Sequence, residues 1–138
     1  MTVPSVLLEA AVESIESAVL AEEAGAGRVE LCVGLVEGGL TPSAGIIEEV
    51  RSRVNIPVFV LIRPRSGDAC YSREELTVMR RDIGIAKSLG VYGVVLGVVT
   101  PEGTVDAART RDLALAARPM SVTFHRAFDL TRDADESL

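Results

Sequence analysis

Short runs of consecutive apolar residues alternate along this chain with longer stretches whose apolar positions recur every three or four residues. The run SVLLEA from Ser5 predicts a strand, and AVESIESAVLAEEAG, with Ala11, Ile15, Ala18 and Val19 at helical spacing, predicts a helix after it. RVELCV from Arg28 predicts a second strand. A second helix follows from about Pro42, where Thr41 suits the N-cap and Pro42 the first helical position. The third pair is PVFVLIR and SREELTVMRRDIGIAKSLG, whose helix is opened by the capping box Ser72-x-x-Glu75 and closed by Gly90. YGVVLGVV and AARTRDLALAA supply the fourth pair, and MSVTFHRAFD the fifth strand. A last helix begins in RDADESL, whose Asp133, Asp135 and Glu136 suit the positive end of a helix dipole.

Strands recur roughly every 29 residues, the length of a βα unit in a parallel α/β fold. Their continuous Val, Leu and Ile runs fit a sheet covered by helices. No turn from strand to helix carries G-x-G-x-x-G or a Walker motif, so a nucleotide-binding doubly wound sheet would lack its phosphate cradle. The expected fold is therefore a parallel (β/α) barrel of the TIM type. Such a barrel needs at least ~200 residues and eight units, whereas about five are present, so the barrel is expected to be incomplete.

Composition narrows the function classes. The chain has 138 residues, 48% of them apolar, which suits a single domain with a sizeable core. Its net charge is -6 and its arginines are scattered, so no broad basic face exists for nucleic acid. No apolar run approaches the roughly 18 to 20 residues that span a bilayer, and no leader pattern stands at the N-terminus, so the expected location is the cytoplasm. Cys32 and Cys70 are too few for a disulfide framework, and no bridge between them is expected.

Alternation along the strands places the candidate chemistry. If Val6 and Leu8 face the helices, Leu7 and Glu9 face into the barrel; by the same rule Glu30 and Cys32 face in, as do Phe59, Leu61 and Arg63, and Thr123 with His125. Gly93, Val95 and Gly97 would leave space above the barrel core. Polar groups at the C-terminal ends of barrel strands meet at the mouth, where barrel chemistry is done. Glu9, Glu30, Arg63 and His125 could there support proton transfer, because desolvation tunes carboxylates and imidazole toward neutral pKa values. Arg63 would orient a small anionic ligand, with Arg65, Asp68, Tyr71 and Arg126 as further contacts. The alternative is an ion-pair network plugging the barrel, with His125 hydrogen-bonded to it. Cys32 could hold a soft metal, although a lone strand-end cysteine is more often a small buried hydrophobe. The glycines of VEGGLTPS could cradle an anion or simply turn the chain into a capped helix.

The segments GAGRVELCVGLVEGGLTPS, IPVFVLIRPRSGDACYS and VTFHRAFD, in this order and spacing, resemble the CutC family, which is named for copper homeostasis. The resemblance implies a (β/α)8-type barrel of which residues 1–138 are the N-terminal portion, frequent homo-oligomerisation, and a mouth lined by Glu9, Glu30, Arg63 and His125. Self-association through the open barrel edges is a further expectation. The resemblance also implies Cu(I), held in some members by the cysteine matching Cys32 and a second cysteine shortly after the first-strand glutamate; this chain has Ala11 at that second place.

Overall fold

The computed structural model describes residues 6–138. Five βα units follow one another: β1 (Glu9–Val12), α1 (Ile15–Glu23), β2 (Arg28–Leu31), α2 (Ala44–Arg53), β3 (Val58–Leu61), α3 (Arg73–Ser88), β4 (Gly93–Leu96), α4 (Ala107–Ala117), β5 (Ser121–Phe124) and α5 (Ala134–Ser137). The strands form one parallel sheet in the order β1-β2-β3-β4-β5. Sequential neighbours all the way across make this an arc of a barrel rather than a doubly wound sheet, which reverses direction at a switch point. Among the described residues the arc does not close, so β1 and β5 each pair on one side only. No helix there is long and apolar enough to cross a membrane.

The convex face carries the main core. Val29 and Leu31 of β2, Val58 and Val60 of β3 with Ile62 beyond it, and Val94 and Leu96 of β4 pack against Ala18, Ile47, Val50, Met79, Ile83, Ala86, Leu113 and Ala117 of the helices. Each of the larger side chains contributes roughly 1.5–3 kcal/mol by leaving water. The concave face has a smaller cluster of Cys32, Phe59, Leu61 and Val95. β3 and β4 are buried on both faces, which explains why their sequences read as unbroken apolar runs.

Three boundaries differ from the sequence expectation. The first strand begins at Glu9, not in the apolar run before it; Ser5 lies outside the described residues, and Val6, Leu7 and Leu8 are exposed and irregular. Pairing sets this limit, because β2 starts only at Arg28, opposite Glu9. Ala11 consequently belongs to β1 and not to the first helix, which Ser14 caps from both sides with Ser17. The second helix starts at Ala44 with Ser43 as its cap. Thr41 is engaged elsewhere: its hydroxyl donates to the Arg63 carbonyl and accepts from the Arg63 amide, tying the loop after β2 to the end of β3. The Ser72–Glu75 capping box of α3 forms as expected.

Two glycines should respond in opposite directions when changed to alanine. A Cβ on Gly93 would lie 2.3 Å from the Phe59 ring and 2.8 Å from the Ser121 carbonyl oxygen, so Gly93→Ala is expected to destabilise by about 1–3 kcal/mol. A Cβ on Gly84, in the middle of α3, would meet nothing within 4 Å, so Gly84→Ala should stabilise by about 0.5–1 kcal/mol. Urea midpoints of the two variants against the parent check both signs.

Candidate functional site

Paired rows across the sheet place Val12, Leu31, Val60, Val94 and Val122 at one level. Glu9 stands three residues before that level and His125 three beyond it, yet both line one cavity of about 710 Å³, together with Glu30, Arg63 and Thr123. Strand tilt accounts for this: a row perpendicular to tilted strands climbs along the barrel axis, so the far end of β5 comes level with the near end of β1. The cavity lies on the concave face, where Leu61, Val95, Cys32 and Ala11 also contribute to its wall.

The acidic end is built by β1 and β2. Glu9 forms an ion pair with Arg28, whose guanidinium also lies 4.3 Å over the Phe59 ring. Arg28 shares the inward parity of Glu30 and Cys32, so alternation along RVELCV contained the signal for it, although the candidate residues drawn from sequence omitted it. Glu30 has no such counterion to itself. Burial pushes its carboxyl above the usual carboxylate range and the neighbouring Glu9 adds to the effect, while Arg28 opposes it.

His125 ends β5 and begins a 3-10 turn over Arg126–Leu130. Its Nδ1 accepts the amide hydrogen of Ala127 at 3.1 Å, which leaves the ring proton on Nε2. Burial, reinforced by the charge of Arg63 and then of Arg126, pushes the imidazole down to about 4, so it is neutral at physiological pH. Nε2 is buried and has no hydrogen-bond partner among the described residues. The ring is seated by Gly97, where a Cβ would lie 2.7 Å from Cε1 and 2.9 Å from Nδ1. Any side chain at Gly97 would displace the imidazole.

The basic end is built from loops. Arg63 follows β3 and donates through Nη1 to the carbonyls of Glu37 and Gly39 at 2.9 and 2.8 Å, and through Nη2 to that of Gly67 at 2.9 Å. It therefore holds the loops after β2 and β3 together and keeps two of its five N–H groups for other partners. Gly38 and Gly39 take positive φ values of 87° and 90°, which answers the glycine pair of VEGGLTPS with a tight turn. A Cβ on Gly38 would lie 2.8 Å from Arg126 Nη2 and 3.5 Å from Arg63 Nη1, so the two guanidinium groups flank one point on the cavity wall. Among the described residues neither forms an ion pair, and the Asp129 carboxylate on the same wall pairs with neither.

The remaining candidates stand apart from the cavity. Arg65 gives its N–H groups to its own loop: Nε to Glu75 at 2.6 Å, Nη1 to the Asp68 carbonyl at 2.9 Å and Nη2 to the Cys70 carbonyl at 2.8 Å, with Asp68 Oδ1 a further partner. Tyr71 is buried in the convex core beneath the Arg65 guanidinium. Neither these two nor Asp68 lines the cavity. Cys32 does, but its Sγ donates to the Val12 carbonyl, and burial together with the charges of Glu30 and Glu13 pushes the thiol up to about 11. Both cysteines are free thiols.

A model of the CutC family matches residues 6–138. The copper homeostasis protein cutC homolog of Mus musculus is 53% identical over 127 residues, covering 92% of this chain and 47% of that protein. A family protein CutC of Chromobacterium violaceum is 52% identical over 132 residues, covering 96% of this chain and 53% of the relative. The crystal structure of CutC from Streptococcus agalactiae superposes with a TM-score of 0.88 at 34% identity, over 96% of this chain and 64% of that one. Phosphoenolpyruvate phosphomutase of Streptomyces platensis shares the fold alone, with a TM-score of 0.55 at 17% identity. The chain spans about half the length of the curated relatives it matches. With the fold, the segments that carry the resemblance and these matches in agreement, the chain belongs to the CutC family.

Proposed function

We propose that the concave cavity binds a small anionic ligand whose charged group sits between Arg63 and Arg126. The observation that supports this is the pair of unneutralised guanidinium groups flanking Gly38 on the cavity wall. Two like charges that close repel, at about 1 kcal/mol or more even in water-like surroundings, and a bound anion turns that cost into attraction. Planar forks also suit the oxygens of a phosphate or carboxylate. A cytoplasmic setting, where the two thiols stay reduced, belongs to the same reading. A longer chain would add strands to the open arc and complete the mouth.

The relatives' name points to copper, and the donor set here does not fit a Cu(I) site. Cu(I) selects soft thiolate or thioether ligands. Cys32 is a protonated hydrogen-bond donor at neutral pH, and burial also raises the Cys70 thiol, which sits on the loop after β3. Ala11 occupies the place of the second cysteine that the resemblance calls for, and no group of three metal-binding side chains converges among the described residues. Copper has no part in this reading of the cavity.

A second reading concerns the open edges of the 138-residue chain. β1 and β5 offer unpaired backbone, with Val122 38% and Leu8 61% exposed beside them, and such edges recruit further strands. Light scattering across a concentration series should show association of the 138-residue chain; a monomer at every concentration would remove this reading.

The anion site is tested best at Arg126, because it is exposed and has no intramolecular ion pair among the described residues, whereas Arg63 also holds two loops. Calorimetric titration of the intact polypeptide with inorganic phosphate should give saturable binding that Arg126→Ala weakens at least tenfold with little change in urea midpoint. Phosphate binding that survives Arg126→Ala unchanged would refute the site. The chain's single histidine supplies an independent check. Its folded pKa of about 4 lies below the ordinary value near 6.5, so the stability linked to it is complete above about pH 6.5 and declines as pH falls toward 4. The imidazole Cε1–H resonance should titrate with a midpoint near 4, and His125→Gln should lose less stability than the parent between pH 7 and 5.

A further inference from the structure

Beyond the two arginines and Asp129 beside them, the cavity presents one fixed neutral donor and, on the wall built by β1 and β2, one carboxylate without an ion pair among the described residues. His125 lines the cavity, is locked as the Nε2–H tautomer by the Ala127 amide and has its ring seated against Gly97, while its Nε2 is buried without a partner among the described residues. A buried donor of that kind lacks an acceptor oxygen, which a ligand can supply. The two glutamates of the β1 and β2 wall are unequal. Glu9 is committed to Arg28, while Glu30 lines the wall with its basicity increased by burial. Thr123 lines the same space, and its side chain carries a hydroxyl suited to a ligand hydroxyl. A carboxylate base with a neutral imidazole donor is the pairing that moves a proton next to a carbonyl, since the N–H polarises the oxygen while the base takes hydrogen from carbon.

We propose that this cavity enolises a small α-hydroxy aldehyde or ketone that carries an anionic group, with Glu30 as the base and His125 as the donor to the carbonyl oxygen. This rests on the anion site between Arg63 and Arg126. Glu30 takes the hydrogen of the hydroxyl-bearing carbon as a proton; the C–H electron pair becomes the C=C bond of an enediolate, and the carbonyl π pair moves onto oxygen. His125 gives its Nε2 proton to that oxygen and regains one from the neighbouring hydroxyl. Glu30 then returns its proton to the former carbonyl carbon. The carbonyl has moved by one position, atoms and electrons balance, and no oxidant or second substrate is consumed.

The test follows deuterium uptake from D2O by proton NMR, using the intact polypeptide with dihydroxyacetone phosphate, ribose 5-phosphate and, as the carboxylate arm, hydroxypyruvate. Deuterium should enter at the carbon next to the carbonyl of at least one probe, and the probe that exchanges tells phosphate from carboxylate. Glu30→Gln should slow uptake at least 100-fold and His125→Gln at least tenfold, the scale of positioned acid–base groups. Both variants should bind inorganic phosphate within about twofold of the parent, which shows that they fold. Phosphate binding without exchange on any probe overturns enolisation, and exchange that persists undiminished in Glu30→Gln overturns the assignment of Glu30 as its base; either outcome leaves the anion site standing. Loss of phosphate binding in the parent removes both.

Discussion

The register of the parallel sheet is the constraint on which the site depends. With helices covering its convex face, the arc has one admissible pairing, because a slip of one residue would turn Val29, Leu31, Val58 and Val60 inward and carry Glu30 and Cys32 into the helix layer. The free energy that forbids the slip is hydrophobic, at roughly 1.5–3 kcal/mol for each large aliphatic side chain. Polar groups of the concave face are therefore positioned mainly by apolar groups pointing the other way. Strand tilt supplies the second half of the geometry, since it lets residues at opposite ends of β1 and β5 share one opening.

Within that frame, glycines decide where large groups can sit. Gly93 leaves the volume into which the Phe59 ring packs, and Gly97, on the same face of β4, leaves the volume for the His125 ring. Strand β4 thus makes room below for an aromatic floor and above for an imidazole. Its own side chain on this face, Val95, joins the small apolar cluster between them. Gly38 makes an analogous space in the loop after β2, and two arginines from different loops converge over it. The imidazole and both guanidinium groups thus rest on places where another chain segment has no side chain.

Much of this was legible from the amino acids. Helical spacing, the Ser72–Glu75 box and the Val/Ile runs yield the βα order, and alternation aims Glu9, Glu30, Arg63 and His125 at a common cavity. The start of β1 was not legible, because Val6 to Leu8 are as apolar as a strand and only the starting point of β2, opposite Glu9, reveals where the paired residues begin. The same holds for Thr41, whose capping propensity is real but whose hydroxyl is claimed by the Arg63 backbone, a contact between residues 22 positions apart. Arg65 shows a third kind of limit. Its sequence neighbours suggest a ligand contact, whereas Glu75, Asp68 and the Cys70 carbonyl surround it with acceptors that only the folded loop brings together.

Electrostatics then divides the roles of residues that look equivalent in sequence. Two glutamates from adjacent strands share a partly desolvated wall with one arginine, and one positive charge cannot neutralise both. Arg28 is adjacent to Glu9 in the strand register, so the ion pair forms there and fixes one carboxylate as structure. Glu30 keeps the desolvation penalty and the repulsion from Glu9, and both raise its proton affinity. Cys32, one inward position farther along β2, feels Glu30 and Glu13 as well as burial, so the same negative field that makes Glu30 a better base holds the thiol protonated. At the other end of the cavity burial, reinforced by the charges of Arg63 and Arg126, acts on His125 in the opposite sense and keeps its imidazole neutral. One wall therefore favours proton uptake and the other resists it: burial disfavours the charged form of both groups, raising the carboxyl and lowering the imidazole, and the neighbouring charges add to each shift.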